Sequence, residues 1–157
     1  MRWLGLALMA ATPLAAQAEI APLFAEYSAN SGSLPPEYAW DVEVVIRLDG
    51  DLTLTRCTGY ETTGPACKIH TATVTPAAID VIRAAVKSTR LDRKAARKSD
   101  AIMVGGGSHN GAVYLNGKTI VLPAFPATAD APRVTTVMDA ILAAIPADLQ
   151  DRYIGAN

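Results

Sequence analysis

Hydrophobic positions recur along this chain with two different periods. Trp40, Val42, Val44, Ile46 and Leu48 fall on one face of an alternating run, and Asp41, Glu43 and Arg47 fall on the other with Val45. A period of two predicts a half-buried strand. Asp49-Gly50 follows as a two-residue hairpin signal, both positions tolerating positive φ, and Asp51–Cys57 returns as the partner strand. Lys68–Val74 offers a third strand. The period then lengthens. Thr75-Pro76 combines a capping hydroxyl with a proline at the first helical position, and Ile79, Ile82 and Val86 follow at helical spacing. The helix fades near Arg90 or Leu91, and a polar linker runs to Gly105-Gly106-Gly107.

A second hairpin comes next, Ala112–Leu115 and Lys118–Leu122 joined by Asn116-Gly117, and Pro123 and Pro126 end it. Val134, Val137, Met138, Ile141, Leu142 and Ile145 form a second helix that Pro146 closes, with one more turn over Asp148–Tyr153. Strands cluster ahead of helices, which predicts an α+β domain: an antiparallel sheet of about five strands, two hairpins plus one strand, with two helices packed on one face. Ile46–Gly50 resembles Val113–Gly117 in sequence, which is ordinary hairpin chemistry. Residues 19–39 are expected as an extended lead-in, because Ser28–Pro36 is rich in Ser, Gly, Asn and Pro. The domain proper is then 40–157.

The first 18 residues stand apart. Met1-Arg2 is a short positive start, Trp3–Ala11 is uncharged and apolar, and Ala16-Gln17-Ala18 supplies small residues before a cut at Glu19. That is the layout of a cleavable signal peptide. The apolar run falls short of the roughly 20 residues needed to span a bilayer. The residue after the cut is not Cys, so no lipid anchor is expected, and no later stretch is long and apolar enough to span. The reading is a periplasmic or secreted protein.

Composition changes the picture in two places. Residues 19–157 carry 13 basic and 15 acidic residues, a net charge of −2, which excludes nucleic acid as a partner suggested by bulk charge. Arg83, Lys87, Arg90, Arg93, Lys94, Arg97 and Lys98 nevertheless fall within sixteen residues opposed only by Asp92, so this segment is +6. Were the helix to continue past Leu91, Arg83, Lys87, Arg90, Lys94 and Arg97 would share a stripe suited to an anionic ligand or envelope surface. Cys57 and Cys67 are the only cysteines, and an even count in an exported chain predicts a disulfide. The bridge would hold residues 58–66 as a stapled loop with Tyr60 and Glu61 as candidate interface residues.

Candidate chemistry is sparse. Gly105–Gly107 precedes a strand and no Lys follows, so it does not fit a phosphate loop. It leads into a polar loop, Ser108-His109-Asn110, which with His70 is the candidate set for a small periplasmic hydrolase. The two histidines are far apart in sequence and lack helical ligand partners, so no metal site is assigned, and no cofactor motif is present. The primary expectation is a non-catalytic binding domain using the Cys57–Cys67 loop, with an unknown protein or small ligand of the cell envelope as partner. The hydrolase and the binder using basic segment 83–98 are the alternatives.

The signal peptide, Gly32-Ser33-Leu34-Pro35-Pro36-Glu37-Tyr38 before the first strand, and Val104-Gly105-Gly106-Gly107 before the Asn116-Gly117 hairpin ending Leu122–Pro126 together resemble small exported bacterial proteins of unknown function. The layout covers most of the mature chain. The resemblance implies a periplasmic setting and this fold, and no activity.

Overall fold

A computed structural model describes residues 20–59, 66–101 and 105–154. The signal segment 1–18 and the loop residues Tyr60 and Glu61 lie outside the described residues. The fold is α+β. Six antiparallel strands form one sheet in the order β4-β3-β2-β1-β5-β6, where β1 is Leu23–Asn30, β2 Trp40–Arg47, β3 Asp51–Thr58, β4 Ala66–Thr73, β5 Ser108–Leu115 and β6 Lys118–Leu122. Helix α1 spans Pro76–Thr89 and α2 spans Ala131–Ala144; a short α3, Ala147–Leu149, runs into a π-helical turn over Gln150–Ile154.

Alternation decides which sheet face is buried. Val42, Val44 and Ile46 of β2 and Leu52 and Leu54 of β3 are buried, while Asp41 and Glu43 are exposed. The buried face meets Ile79, Ile82 and Val86 of α1 and Val134, Val137, Met138 and Ile141 of α2 in one core. The opposite face carries Ile69 and Val121 exposed, as a one-sided antiparallel sheet does. On it Tyr114 donates to a Glu26 oxygen at 2.8 Å. That bond, together with burial and the Glu26 charge, raises the Tyr114 pKa. Burial alone raises that of Tyr27.

The lead-in is the main correction. Leu23–Asn30 is not peripheral: β1 sits between β2 and β5, near the centre of the sheet. Its inward positions include Ala25 and Ala29, which carry little hydrophobic signal, and the register shifts between Leu23 and Ala25, so buried Phe24 falls out of the period of two. Ser108-His109-Asn110 is likewise strand, not loop, because it pairs with Ala29, Asn30 and Ser28 of β1. Gly111 belongs to this strand because a Cβ there would meet the Glu26 carbonyl oxygen at 2.5 Å and Met138 Sδ at 3.2 Å.

The two hairpins also differ. Asn116 and Gly117 both take positive φ, 51° and 72°, as a type I′ turn requires. Between β2 and β3 only Gly50 does (φ 91°), and Leu48-Asp49-Gly50 forms a three-residue connection. Leu48, expected inward, is 43% exposed on this turn.

The helices run as a pair between the sheet's two edges. α1 begins directly after edge strand β4, and the chain beyond it, Leu91–Ala96, lies against edge strand β6. α2 begins beside the end of α1, where Arg133 bonds to the Thr89 carbonyl oxygen, and the chain beyond α2 returns to β4, where Tyr153 stacks on His70. Cys57 and Cys67 form a disulfide across the β3–β4 pair. Among the described residues no helix is long and apolar enough to cross a membrane.

Candidate functional site

α1 ends where the basic segment begins, and the manner of its ending builds the site. Arg90 takes the left-handed conformation, φ 57°, and its N–H reaches back to the Lys87 carbonyl at 3.1 Å while that of Leu91 reaches Val86 at 3.2 Å. This is a helix stop at a position that glycine usually fills. The helix ends where the sequence predicts, near Arg90, and the stripe that a longer helix would carry does not form. Arg83 and Lys87 stay on the helix; Arg83 pairs with Asp80 at 2.8 Å and lies 5.2 Å over the Phe24 ring. The chain instead coils after Arg90, with the N–H groups of Arg93 and Lys94 bonded to the Arg90 carbonyl.

That coil turns the later cations toward the start of α2. Arg90, Arg93, Lys94 and Arg97, with Ser88, Thr89, Ala129, Asp130 and Arg133, line a recess of about 630 Å³. Its floor is an ion pair that sequence reading did not single out. Asp130, with only 5% of its side chain exposed, accepts from Arg133 Nη1 at 2.7 Å, from the Arg97 backbone N–H at 3.1 Å and from Arg97 Nε at 3.4 Å. The Arg97 N–H, then the Arg133 guanidinium, hold the Asp130 carboxyl below its ordinary pKa against the opposing effect of burial. Arg133 is held at its other two nitrogens as well: Nε donates to Thr89 O at 2.8 Å and Nη2 to Lys94 O at 2.6 Å. One guanidinium thus ties the end of α1, the coil and the start of α2 together.

The remaining donors are free. No side-chain partner among the described residues engages Arg90, Arg93 or Lys94, all exposed, and Arg97 uses only Nε while 70% of its side chain is exposed. The recess can therefore hold negative charge with several forked or mobile donors. The sequence signals for its floor were slight: Asp130 stands before the Ala-Pro start of α2, and nothing local marks Arg133.

The hydrolase candidates are not brought together. Ser108 and His109 are consecutive strand residues, so their side chains take opposite faces. Ser108 Oγ accepts from Asn30 Nδ2 at 3.2 Å, while the His109 ring stacks on Tyr27 at 6.4 Å. His70 is on β4, four strands from β5, or roughly 19 Å at the usual inter-strand spacing. Asn110 is exposed on the Ser108 side. Among the described residues no three His, Cys, Asp or Glu side chains gather as a metal site.

His70 has a different setting. Its ring stacks on Tyr153 at 4.2 Å, its Nε2 is buried without a hydrogen-bond partner among the described residues, and neighbouring Arg56 lies 5.0 Å over Trp40 and donates to the Tyr153 carbonyl. This corner clamps the chain end onto the sheet. A comparison with family models and with curated proteins finds no match for this chain.

Proposed function

We propose that this chain is an exported, non-catalytic binding domain whose ligand is anionic and docks in the recess between the end of α1 and the start of α2. One observation carries the reading: Arg90, Arg93, Lys94 and Arg97 converge on one concavity while Asp130, the only carboxylate lining it among the described residues, is already engaged. The size suits a small molecule, since such pockets run about 300–1,000 Å³. The Cys57–Cys67 disulfide and the signal-like first 18 residues support a periplasmic or secreted location.

The test is binding of a panel of small anions to the purified protein by calorimetry. The wild type binds at least one, more weakly at higher salt, and the Arg93→Gln/Lys94→Gln variant loses at least about tenfold in affinity. Unchanged affinity in that variant would rule the recess out. The mass of the exported protein, shorter by residues 1–18, checks the location.

A further inference from the structure

The recess is asymmetric in its hydrogen bonding, and this narrows its ligand. Its free side chains are donors: three cations without side-chain partners among the described residues and most of a fourth. Its acceptors are largely occupied. The Asp130 carboxylate takes three bonds, the Thr89 and Lys94 carbonyls accept from Arg133, and the Arg90 carbonyl accepts from the N–H groups of Arg93 and Lys94. The hydroxyls of Ser88 and Thr89, which donate back to α1 carbonyls, keep lone pairs that a ligand can use. An amine or zwitterion finds no counter-charge there. A ligand with one carboxylate leaves most of the cations unmatched.

Resting on the anion-binding reading, we propose that the recess binds a phosphomonoester group carried on a small polar body. Such a group brings about −1.5 to −2 charges near neutral pH on three acceptor oxygens, a match to several convergent donors. The recess is larger than a bare oxyanion needs, so the carrier also sits within it, where the two hydroxyls can accept from a polyol. A soluble sugar phosphate and a phosphomonoester lipid headgroup share this chemistry.

The experiment compares glucose 6-phosphate with glucose 6-sulfate, and vesicles of phosphatidylcholine containing phosphatidic acid with vesicles containing phosphatidylglycerol. At pH 7.5 the monoester of each pair binds about tenfold more tightly than its singly charged counterpart. That advantage shrinks at pH 5.5, because the second phosphate proton binds near pH 6. The charged groups lining the recess are Arg90, Arg93, Lys94, Arg97, Arg133 and Asp130, and neither histidine is among them, so the change belongs to the ligand. Lys68→Gln, which removes one positive charge at the β4 edge, leaves binding unchanged, and Arg93→Gln/Lys94→Gln abolishes the preference. Binding of the sugar phosphate alone identifies a soluble ligand, and binding of the phosphatidic acid vesicles alone identifies a headgroup; either supports the proposal. Equal affinity for phosphate and sulfate esters, and for both vesicles, overturns the phosphomonoester while leaving the anion-binding reading in place. Binding of no anion overturns both.

Discussion

The two edges of the sheet use the same residue types to opposite ends. Beside β6, Arg133 reaches backbone carbonyls of two other segments, and a buried carboxylate, Asp130, balances it. Beside β4, Arg56 reaches one distant carbonyl, that of Tyr153, and rests on Trp40, with no ion pair to a carboxylate among the described residues. Lys68 stands directly across the ladder from Arg56, a like-charge pairing that weakens a sheet, and His70 Nε2 lies buried with no partner among the described residues. At the β6 edge the frame is satisfied and surplus cations face an open recess. At the β4 edge Arg56 and the His70 ring are consumed in holding the chain end. The proposed site therefore rests on free donors over a concave space and not on positive charge alone.

The largest expected effect tests that frame. Arg133→Ala removes three hydrogen bonds, one of them to a buried carboxylate, and should cost about 3 kcal/mol by chemical denaturation. It should also weaken anion binding, since the coil carrying Arg93 and Lys94 loses its tie. Acid stability sharpens the point. With the Asp130 pKa lowered on folding, the unfolded chain takes up that proton more readily. The linked stability is therefore complete above the ordinary carboxylate range and is lost as pH falls through the folded value. Arg133→Ala removes one of its causes and should flatten this acid limb, without abolishing it while the Arg97 N–H remains. An acid limb as steep as that of the wild type would mean that Asp130 is held by Arg97 alone.

A smaller effect is expected at the other edge. Tyr153→Ala takes away the ring stacked on His70 and should cost about 2 kcal/mol while leaving anion affinity unchanged. A loss of binding would break the comparison, because it would show the β4 edge acting on the recess.

The same contrast explains what was readable in sequence. The alternation of Trp40–Ile46, the Asn116-Gly117 turn and the Thr75-Pro76 start are local signals, and the structure follows them. Thr75 Oγ1 does accept from the Ala78 N–H, at 3.2 Å. β1 escaped because two of its buried positions are alanines and a bulge interrupts its period. The recess escaped in part because it is not local. Asp130 meets the Arg97 N–H across 33 residues, and the shared stripe of cations depended on a helix that Arg90 stops. The cations were visible; the concavity they line required the tertiary fold.

The smallest effect in energy discriminates most. Arg90 holds a left-handed conformation that costs a side-chain-bearing residue roughly 1 kcal/mol and costs glycine almost nothing. If the position served only to stop α1, glycine would serve better. Arg90→Gly should therefore raise stability slightly, by about 0.5 kcal/mol once the added chain entropy of glycine in the unfolded state is counted, while lowering affinity for the anion. Opposite signs in the two measurements are the mark of a residue kept for its charge at the expense of its backbone. If denaturation shows the variant to be more stable and calorimetry shows binding intact, then Arg90 is a helix stop that happens to be basic, and the site contracts to Arg93, Lys94 and Arg97.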